Sequence, residues 1–332
     1  MPSPWNVYTQ FWPPKATLTE QNIASQTGKV FIITGGSSGI GYELSRILYG
    51  AGGTVYMLTR TKSNAEDAIR SIEKSFASQE KTTLGQLEFI MMDLEDLESV
   101  KTAAQEFTWK EKRLDVLYNN AGVSCVVDKK TKQELEYQCG VNSVGHVLLE
   151  KLLRPVMTET SKSSPKDSVR VVWAASVLVD LNAPIGGVAI EKLDTHSTDI
   201  TETYVTSKTG NWFIASEFSK REGHRTGVLD IAVNPGSYVT NVWRNTPWYL
   251  YYPFYWTLRY PIHGAYTYLW CGLSDEVTMK DAVAGRYATC DGRWHPGQRE
   301  DLLLALKSED EGGTGQAKAF FDWCESKVAP FV

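Results

Sequence analysis

"KVFIITGGSSGIG", residues 29–41, decides how this chain folds. Its first half is a short apolar run, the composition of a strand buried on both faces. Its second half spaces Gly35, Gly39 and Gly41 as G-x3-G-x-G. Glycines so placed permit a tight turn and a close backbone approach, and the helix that follows offers free N–H groups to a pyrophosphate. Ile40, Leu44, Ile47 and Leu48 then recur at helical spacing. Strand, glycine turn and helix in that order read as a dinucleotide-binding unit; a glycine turn without a ligand is the plainer alternative.

The alternation continues outward from this unit. "TVYMLTR" (54–60), "LEFIMMD" (87–93), "LDVLYNNAG" (114–122), "SVRVVWAAS" (168–176) and "GVLDIAVNPG" (227–236) read as strands. Between them, helices are expected over 63–78, 95–110, 131–159 and 201–223. Such alternation implies right-handed βαβ units and a parallel sheet covered on both faces. Residues 1–27 are rich in proline and polar residues and read as an arm against the body. Beyond Pro235 the alternation stops: an aromatic stretch precedes a helix over 263–273, a short strand near "GRYATC" (285–290) and a helix over 314–327.

Composition narrows the function. The 332 residues carry a formal charge of −5, which argues against a nucleic-acid partner. Eleven Trp and sixteen Tyr point to a large apolar ligand site or lid, or to surplus core and surface aromatics. The five cysteines (Cys125, Cys139, Cys271, Cys290, Cys324) are scattered, with no CxxC and no metal spacing. They read as reduced thiols of an intracellular, cytoplasmic protein without a metal. Neither a signal peptide nor an apolar run of about 18 residues is apparent, so no spanning helix is expected. Peripheral contact with an intracellular membrane stays open, because Trp and Tyr favour that boundary.

At the end of the second strand stands Thr59-Arg60, and no Asp or Glu occurs between Gly53 and Asn64. An acid near this point binds the ribose 2′-hydroxyl of NAD, whereas arginine suits the 2′-phosphate of NADPH. In "TYVTSKTGN" (203–211), Tyr204 and Lys208 lie one helical turn apart. Free tyrosine has a pKa near 10 and is a sluggish proton donor at neutral pH, but a cation within about 4–6 Å favours its phenolate by one to a few units. Alone the pair is commonplace. Downstream of a phosphate loop, on a helix crossing the cofactor crevice, it becomes a candidate acid–base group.

Together "TGGSSGIG" (34–41), "NNAG" (119–122), Asn142 in "VNSVGH", Ser176, "YVTSK" (204–208) and "NPG" (234–236) resemble the short-chain dehydrogenase/reductase family, over about residues 28–240 and in the right order. "VNSVGHVLLEKLL" and "PPKATLTEQNI" are similar to its retinol-dehydrogenase-like and WW-domain-oxidoreductase-like branch, and the tail from Arg293 resembles fungal members, many of them in secondary-metabolite pathways. The resemblance implies an α/β fold: a single Rossmann-type domain with a seven-stranded, parallel, doubly wound sheet flanked by helices. Residues 28–240 would be the cofactor-binding and catalytic core, 241–275 an aromatic-rich substrate lid and 276–332 a C-terminal extension.

The resemblance also assigns roles. NADPH or NADP+ would contact Gly35, Ser37, Ser38, Gly39, Ile40 and Gly41 of the loop, Thr59 and Arg60, and Asp93 and Leu94 at the adenine. Asn120, Ala121 and Gly122, then Tyr204 and Lys208, and finally Pro235, Gly236 and Thr240 would complete the contacts. Asn119 and Asn120 equally suit tying neighbouring strands, and Asp93 suits capping a helix. Tyr204 would protonate the developing alkoxide, Lys208 would acidify Tyr204 and hold the nicotinamide ribose, and Ser176 would hold the substrate oxygen. Asn142 would anchor a water relaying protons to Lys208; an internally satisfied helical Asn is its plainer reading. Ala175 replaces the first of the family's two serines, and Trp173 departs from its usual small or polar residue.

His146 reads as packing, and His196, His224, His263 and His295 show no nucleophile or metal arrangement. Ser176 lies outside a G-x-S-x-G elbow, which argues against a hydrolase. Trp243, Trp248, Tyr249, Tyr252, Phe254, Tyr255 and Trp256 are candidates to wall a pocket for a greasy carbonyl compound, to face a membrane, or to form an interface. The function expected is NADPH-dependent reduction of a ketone or aldehyde on a hydrophobic small molecule, such as a polyketide-type metabolite. Its alternatives are NAD(P)+-dependent oxidation of a hydrophobic, retinol- or steroid-like alcohol, and a non-catalytic NADPH-binding scaffold. The protein is expected as a monomer or a homodimer through helices 131–159 and 201–223, a face the C-terminal extension would obstruct.

Overall fold

The computed structural model describes residues 3–78, 83–124, 126, 128–195, 199–240, 246, 248, 252 and 255–332. Among the described residues eight strands form one sheet in the order β3-β2-β1-β4-β5-β6-β7-β8. They are β1 Val30–Thr34, β2 Thr54–Thr59, β3 Gln86–Met91, β4 Val116–Asn119, β5 Val169–Ala174, β6 Val228–Val233, β7 Tyr287–Thr289 and β8 Arg293–Trp294. All five residues of β1 are buried, as are all of β4, β5 and β6, which is why these segments read as continuous apolar runs rather than alternating ones. β1 to β7 pair in parallel. The seven parallel strands expected are thus joined by an eighth, two residues long and antiparallel to β7. A segment so short carries no periodic signal.

Helices cover both faces. Among the described residues, those of eight residues or more are α1 Pro4–Phe11, α2 Gly39–Gly50, α3 Lys62–Phe76, α4 Leu97–Lys110, α5 Gly145–Lys162, α6 Ile200–Phe218, α7 Pro261–Leu273 and α8 Gln316–Val328. One core joins α4, α5, α6 and α8 to the sheet; a second, on the other face, joins α2 and α7. α5 starts later than its periodicity suggests, because Glu134 takes φ +60° and the Glu136 carboxylate accepts from the N–H groups of Gln138 and Cys139. A π-helical turn, Gly140–Val144, then leads into it. Trp173 is accommodated in β5 because its indole donates to Asp230 on the neighbouring strand at 3.0 Å.

α8 lies across α6 and α5, burying Phe320, Phe321, Cys324 and Val328. It therefore covers the face that the sequence offered for dimer contact. The approach is close enough that a Cβ on Gly210 would fall 2.2 Å from the Phe320 ring. Gly210→Ala should accordingly destabilise the fold by about 1–3 kcal/mol, as overpacked cores do, and urea unfolding followed by far-UV circular dichroism will show it as a lower midpoint.

Candidate active site

β1 delivers the chain into the glycine turn. Gly35 takes φ +67° and Gly39 +55°, a left-handed backbone that other residues rarely adopt. A Cβ on Gly41 would lie 2.4 Å from the Gly35 carbonyl, so the first turn of α2 closes down on the loop only because that position is glycine. Ser38, the N-cap of α2, makes no side-chain cap, which leaves the first N–H groups of α2 available to an anion. Thr240 stands over this turn: its Cγ2 would be 3.1 Å from a Cβ on Gly39.

The loops at the carboxyl ends of the strands enclose one cleft of about 670 Å³. Of the residues expected to contact the cofactor or carry the catalytic roles, all but Gly41 and Asn142 line it. Among the described residues lining it, the charged ones are Arg60, Asp93 and Lys208. Arg60 is exposed at the mouth, and Thr59 hydrogen-bonds Ser37 at 3.2 Å. Asp93 accepts the Glu95 N–H at 3.1 Å, while the cap of α4 is Asp96, so Asp93 is not that helix's cap. Asn120 donates to the Thr34 carbonyl at 2.9 Å and the Ala121 N–H to the Thr34 hydroxyl at 2.8 Å, tying β4 to β1.

Asp199 caps α6 by accepting from Thr201 and Glu202, and α6 then carries Tyr204 and Lys208 across the ends of the strands. Lys208 is buried; its Nζ donates to the Ala174 carbonyl at 3.1 Å and lies 5.8 Å from the centre of the Tyr204 ring. Removal from water pulls its pKa down to about 8. A Cβ on Gly122 would sit 3.2 Å from both Lys208 Nζ and Asn142 Oδ1, so the glycine of "NNAG" makes room for the ammonium.

Asn142, fully buried in the π-helical turn, donates to the Val123 carbonyl (3.0 Å) and the Ser207 hydroxyl (2.9 Å), and accepts the Val123 N–H (2.8 Å). Its side chain braces the β4 loop against α6. His146 is fully buried, with Nδ1 on the Asn142 carbonyl and Nε2 on Thr34; burial lowers its pKa to about 3, so it is a neutral packing residue.

The Ser176 hydroxyl accepts the Leu178 N–H at 3.2 Å. Its backbone is fastened by a residue that motif reading missed: Tyr287 of β7 accepts the Ser176 N–H at 3.1 Å and donates to the Ser176 carbonyl at 3.0 Å. Only the strand pairing reveals this, since Tyr287 lies 111 residues downstream. The aromatic stretch behaves differently from expectation. Trp243, Tyr249 and Phe254 lie outside the described residues. Trp248, Tyr252, Tyr255 and Trp256 are exposed, and among the described residues of 241–260 only Thr246 lines the cleft. The apolar wall comes instead from Phe11, Val141, Leu178, Leu181 and Tyr268.

The arrangement fits a dinucleotide: uncapped N–H groups and a glycine cradle at one end, a buried ammonium beside a tyrosine and a serine at the other. Among the described residues no helix is long and apolar enough to cross a membrane, and no group of three or more His, Cys, Asp or Glu is placed to hold a metal.

Tyr287→Phe leaves the Ser176 N–H without its partner, whereas the Ser176 carbonyl keeps the Val179 N–H at 3.2 Å. A cost of about 1–3 kcal/mol is expected, measured by thermal unfolding, together with a fall in turnover.

Comparison with known proteins agrees. Residues 29–179 match the family model described as short chain dehydrogenase. A short-chain dehydrogenase/reductase of Phomopsis amygdali is 38% identical, covering 98% of this chain and 97% of its own. One from Pestalotiopsis fici is also 38% identical, covering 98% of both. In structure, an uncharacterized protein of Mycobacterium paratuberculosis matches with TM-score 0.67 at 25% identity, over 94% of this chain and 97% of that one. The 3-ketoacyl-(acyl-carrier-protein) reductase of Brucella melitensis, complexed with NADH, shares the fold with TM-score 0.59 at 20% identity, over 80% and 97%. With fungal relatives matching along nearly its whole length and the phosphate loop, Ser176, Tyr204 and Lys208 gathered on one cleft, this chain belongs to the short-chain dehydrogenase/reductase family of oxidoreductases.

Proposed function

We propose that the protein reduces a ketone or aldehyde on a hydrophobic small molecule to the alcohol, with NADPH as cofactor. The observation that carries this reading is the burial of the Lys208 ammonium beside Tyr204 in the cleft that Ser176 also lines. The loop glycines and the first turn of α2 would hold the pyrophosphate, Arg60 the 2′-phosphate, and Asp93, Leu94, Asn120 and Ala121 the adenine side. When bound, the nicotinamide supplies the hydride that becomes the new carbon-bound hydrogen. Ser176 then holds the carbonyl oxygen by a hydrogen bond that strengthens as negative charge develops there. Tyr204 gives its phenolic proton to that oxygen. Lys208 stabilises the phenolate left behind, and its charge acts strongly because the site is shielded from water. Pro235, Gly236 and Thr240 close the nicotinamide side, and Asn142 would place a water that returns a proton from solvent.

The same residues run the reaction backwards, so oxidation of a hydrophobic alcohol is the second reading; Arg60 and the lack of an Asp or Glu between Gly53 and Asn64 favour NADPH and hence reduction. A scaffold that only binds NADPH is disfavoured by the intact Ser176, Tyr204 and Lys208. Of the 241–275 segment expected as a lid, 261–273 is instead the core helix α7, so the candidate lid shrinks to 241–260, and covering of α5 and α6 by α8 supports a monomer over a dimer through that face. A cytoplasmic protein acting on a polyketide-type metabolite fits both the apolar wall and the fungal relatives.

Tyr204→Phe should lower kcat by about 10²–10⁴-fold with NADPH affinity, read by fluorescence titration, unchanged; unaltered turnover would contradict the mechanism. Arg60→Glu should weaken NADPH binding by about 10–100-fold relative to NADH, the range for a hydrogen bond to a charged group. Because the Lys208 pKa is lowered to about 8, the ammonium is present below that pH and lost above it. kcat/KM for reduction should therefore fall as pH rises through about 8, and stability of the free protein should rise from there towards the unfolded lysine value near 10.4, since only the unfolded chain still holds that proton.

A further inference from the structure

Helix α1 is amphipathic in an unusual sense. Three of its four large aromatics face outward: Trp5, Tyr8 and Trp12, the last just past its end, stack along the surface with ring centres 5.6 and 5.0 Å apart, and are 66%, 49% and 59% exposed. What it buries is Thr9 and Gln10. A helix docked for apolar packing would bury the rings; this one buries an amide, which must then find partners.

Gln10 finds them on two loops of the cleft. Its Nε2 donates to Asp180 Oδ2 at 2.9 Å, and its Oε1 accepts from Asn234 Nδ2 at 2.8 Å. Asp180 lies in the helical turn Leu178–Asn182 that follows Ser176, and three members of that turn, Leu178, Leu181 and Asn182, line the cleft. Asn234 begins the Asn-Pro-Gly turn and accepts the Gly236 N–H at 3.0 Å. Asp180 Oδ2 also receives His295 Nε2 at 2.8 Å, while His295 Nδ1 accepts the Gly297 N–H at 3.2 Å. Gln10, Asp180, Asn234 and His295 are all at least nine-tenths buried. The segment around β8 fastens the helix from outside: Arg293 donates to the Thr9 carbonyl at 2.6 Å and Asn6 to the Gly297 carbonyl at 3.0 Å. The next residue along the helix, Phe11, lines the cleft.

We propose that α1 is an end wall of the substrate half of the cleft, in which Phe11 is a specificity-determining contact and Gln10 a positioning residue that fixes the Ser176 and Pro235 loops relative to each other. The ligand class is the apolar body of the carbonyl compound, so the proposal rests on the ketoreductase reading above. Phe11 offers a ring to that body; Gln10, facing away from the cleft, sets the distance between the loop that holds the carbonyl oxygen and the turn beside the nicotinamide.

The test uses the full-length protein with NADPH and two ketones of different bulk, acetophenone and benzophenone. Phe11→Ala should change the ratio of kcat/KM between them by about tenfold, within the range for altered apolar pocket contacts, with the NADPH dissociation constant within about twofold of wild type. Gln10→Ala should lower kcat more than it raises KM, and should speed amide hydrogen exchange at 176–182 and 234–240 while leaving α2 and α6 as protected as before. An unchanged ketone ratio in Phe11→Ala, or unchanged exchange at those two loops in Gln10→Ala, overturns the proposal. Should Gln10→Ala fail to fold, the Phe11→Ala ratio decides. Should the wild type reduce neither ketone, the function reading for these ketones fails, and the exchange experiment alone decides the place of α1.

Discussion

Keeping the Lys208 ammonium away from water costs free energy that nearby acceptors and a negative partner must offset. In this structure the Ala174 carbonyl is one such acceptor, taking Lys208 at 3.1 Å and Asn211 at 2.8 Å from successive turns of α6. Much of the surrounding geometry follows from making that burial feasible. Gly122 leaves the space, Asn142 and Ser207 bind the β4 loop to α6, and Ser143 donates to Asn211 at 2.9 Å so that the second donor keeps its orientation. Once the ammonium is fixed, the tyrosine one turn earlier has its electrostatic environment settled as well.

This arrangement makes the cleft a product of distant parts of the chain. The serine loop is held by Tyr287 from β7, and the serine and proline loops are linked through Gln10 from α1, which β8 in turn secures. The eighth strand therefore does more than lengthen the sheet. It brings Arg293 and His295 to where an outlying helix needs them, and joins the last third of the molecule to the first dozen residues. On the opposite side α8 plays a comparable part, pressing Phe320 against Gly210 so closely that α6 is held between the sheet and a second helix.

Charge is used sparingly along the cleft. Arg60 at the mouth and Lys208 in the interior suit a phosphorylated ligand that enters one end and reacts at the other, while Asp93 also lines the cleft, where the adenine is proposed to sit. Between them the lining is hydroxyl, amide and hydrocarbon, so orientation there rests on shape and hydrogen bonds more than on ion pairs.

Local order was legible in the amino acids. Residues 29–41 specify strand, turn and helix because burial on both faces demands an uninterrupted apolar run and the close α2 approach demands glycine at 41. Tyr204 and Lys208 were legible for a similar reason, since one helical turn brings side chains four apart onto one face. Arg60 stood out by its place at the end of a strand, whereas Asn142 and Ser176 were marked by the resemblance to the family's motifs. Other features had no local signature. The start of α5 was set by the Glu136 cap and a left-handed Glu134; the exposed position of Trp248, Tyr252 and Trp256 depended on what the rest of the chain left uncovered. Tyr287 and Gln10 acquire meaning through partners more than a hundred residues away, and the two-residue β8, paired with neighbouring β7, through the bond of Arg293 to Thr9. Backbone propensity and apolar periodicity act over a few residues and so are written into the chain itself, whereas a hydrogen bond between remote segments exists only after the sheet has brought them together.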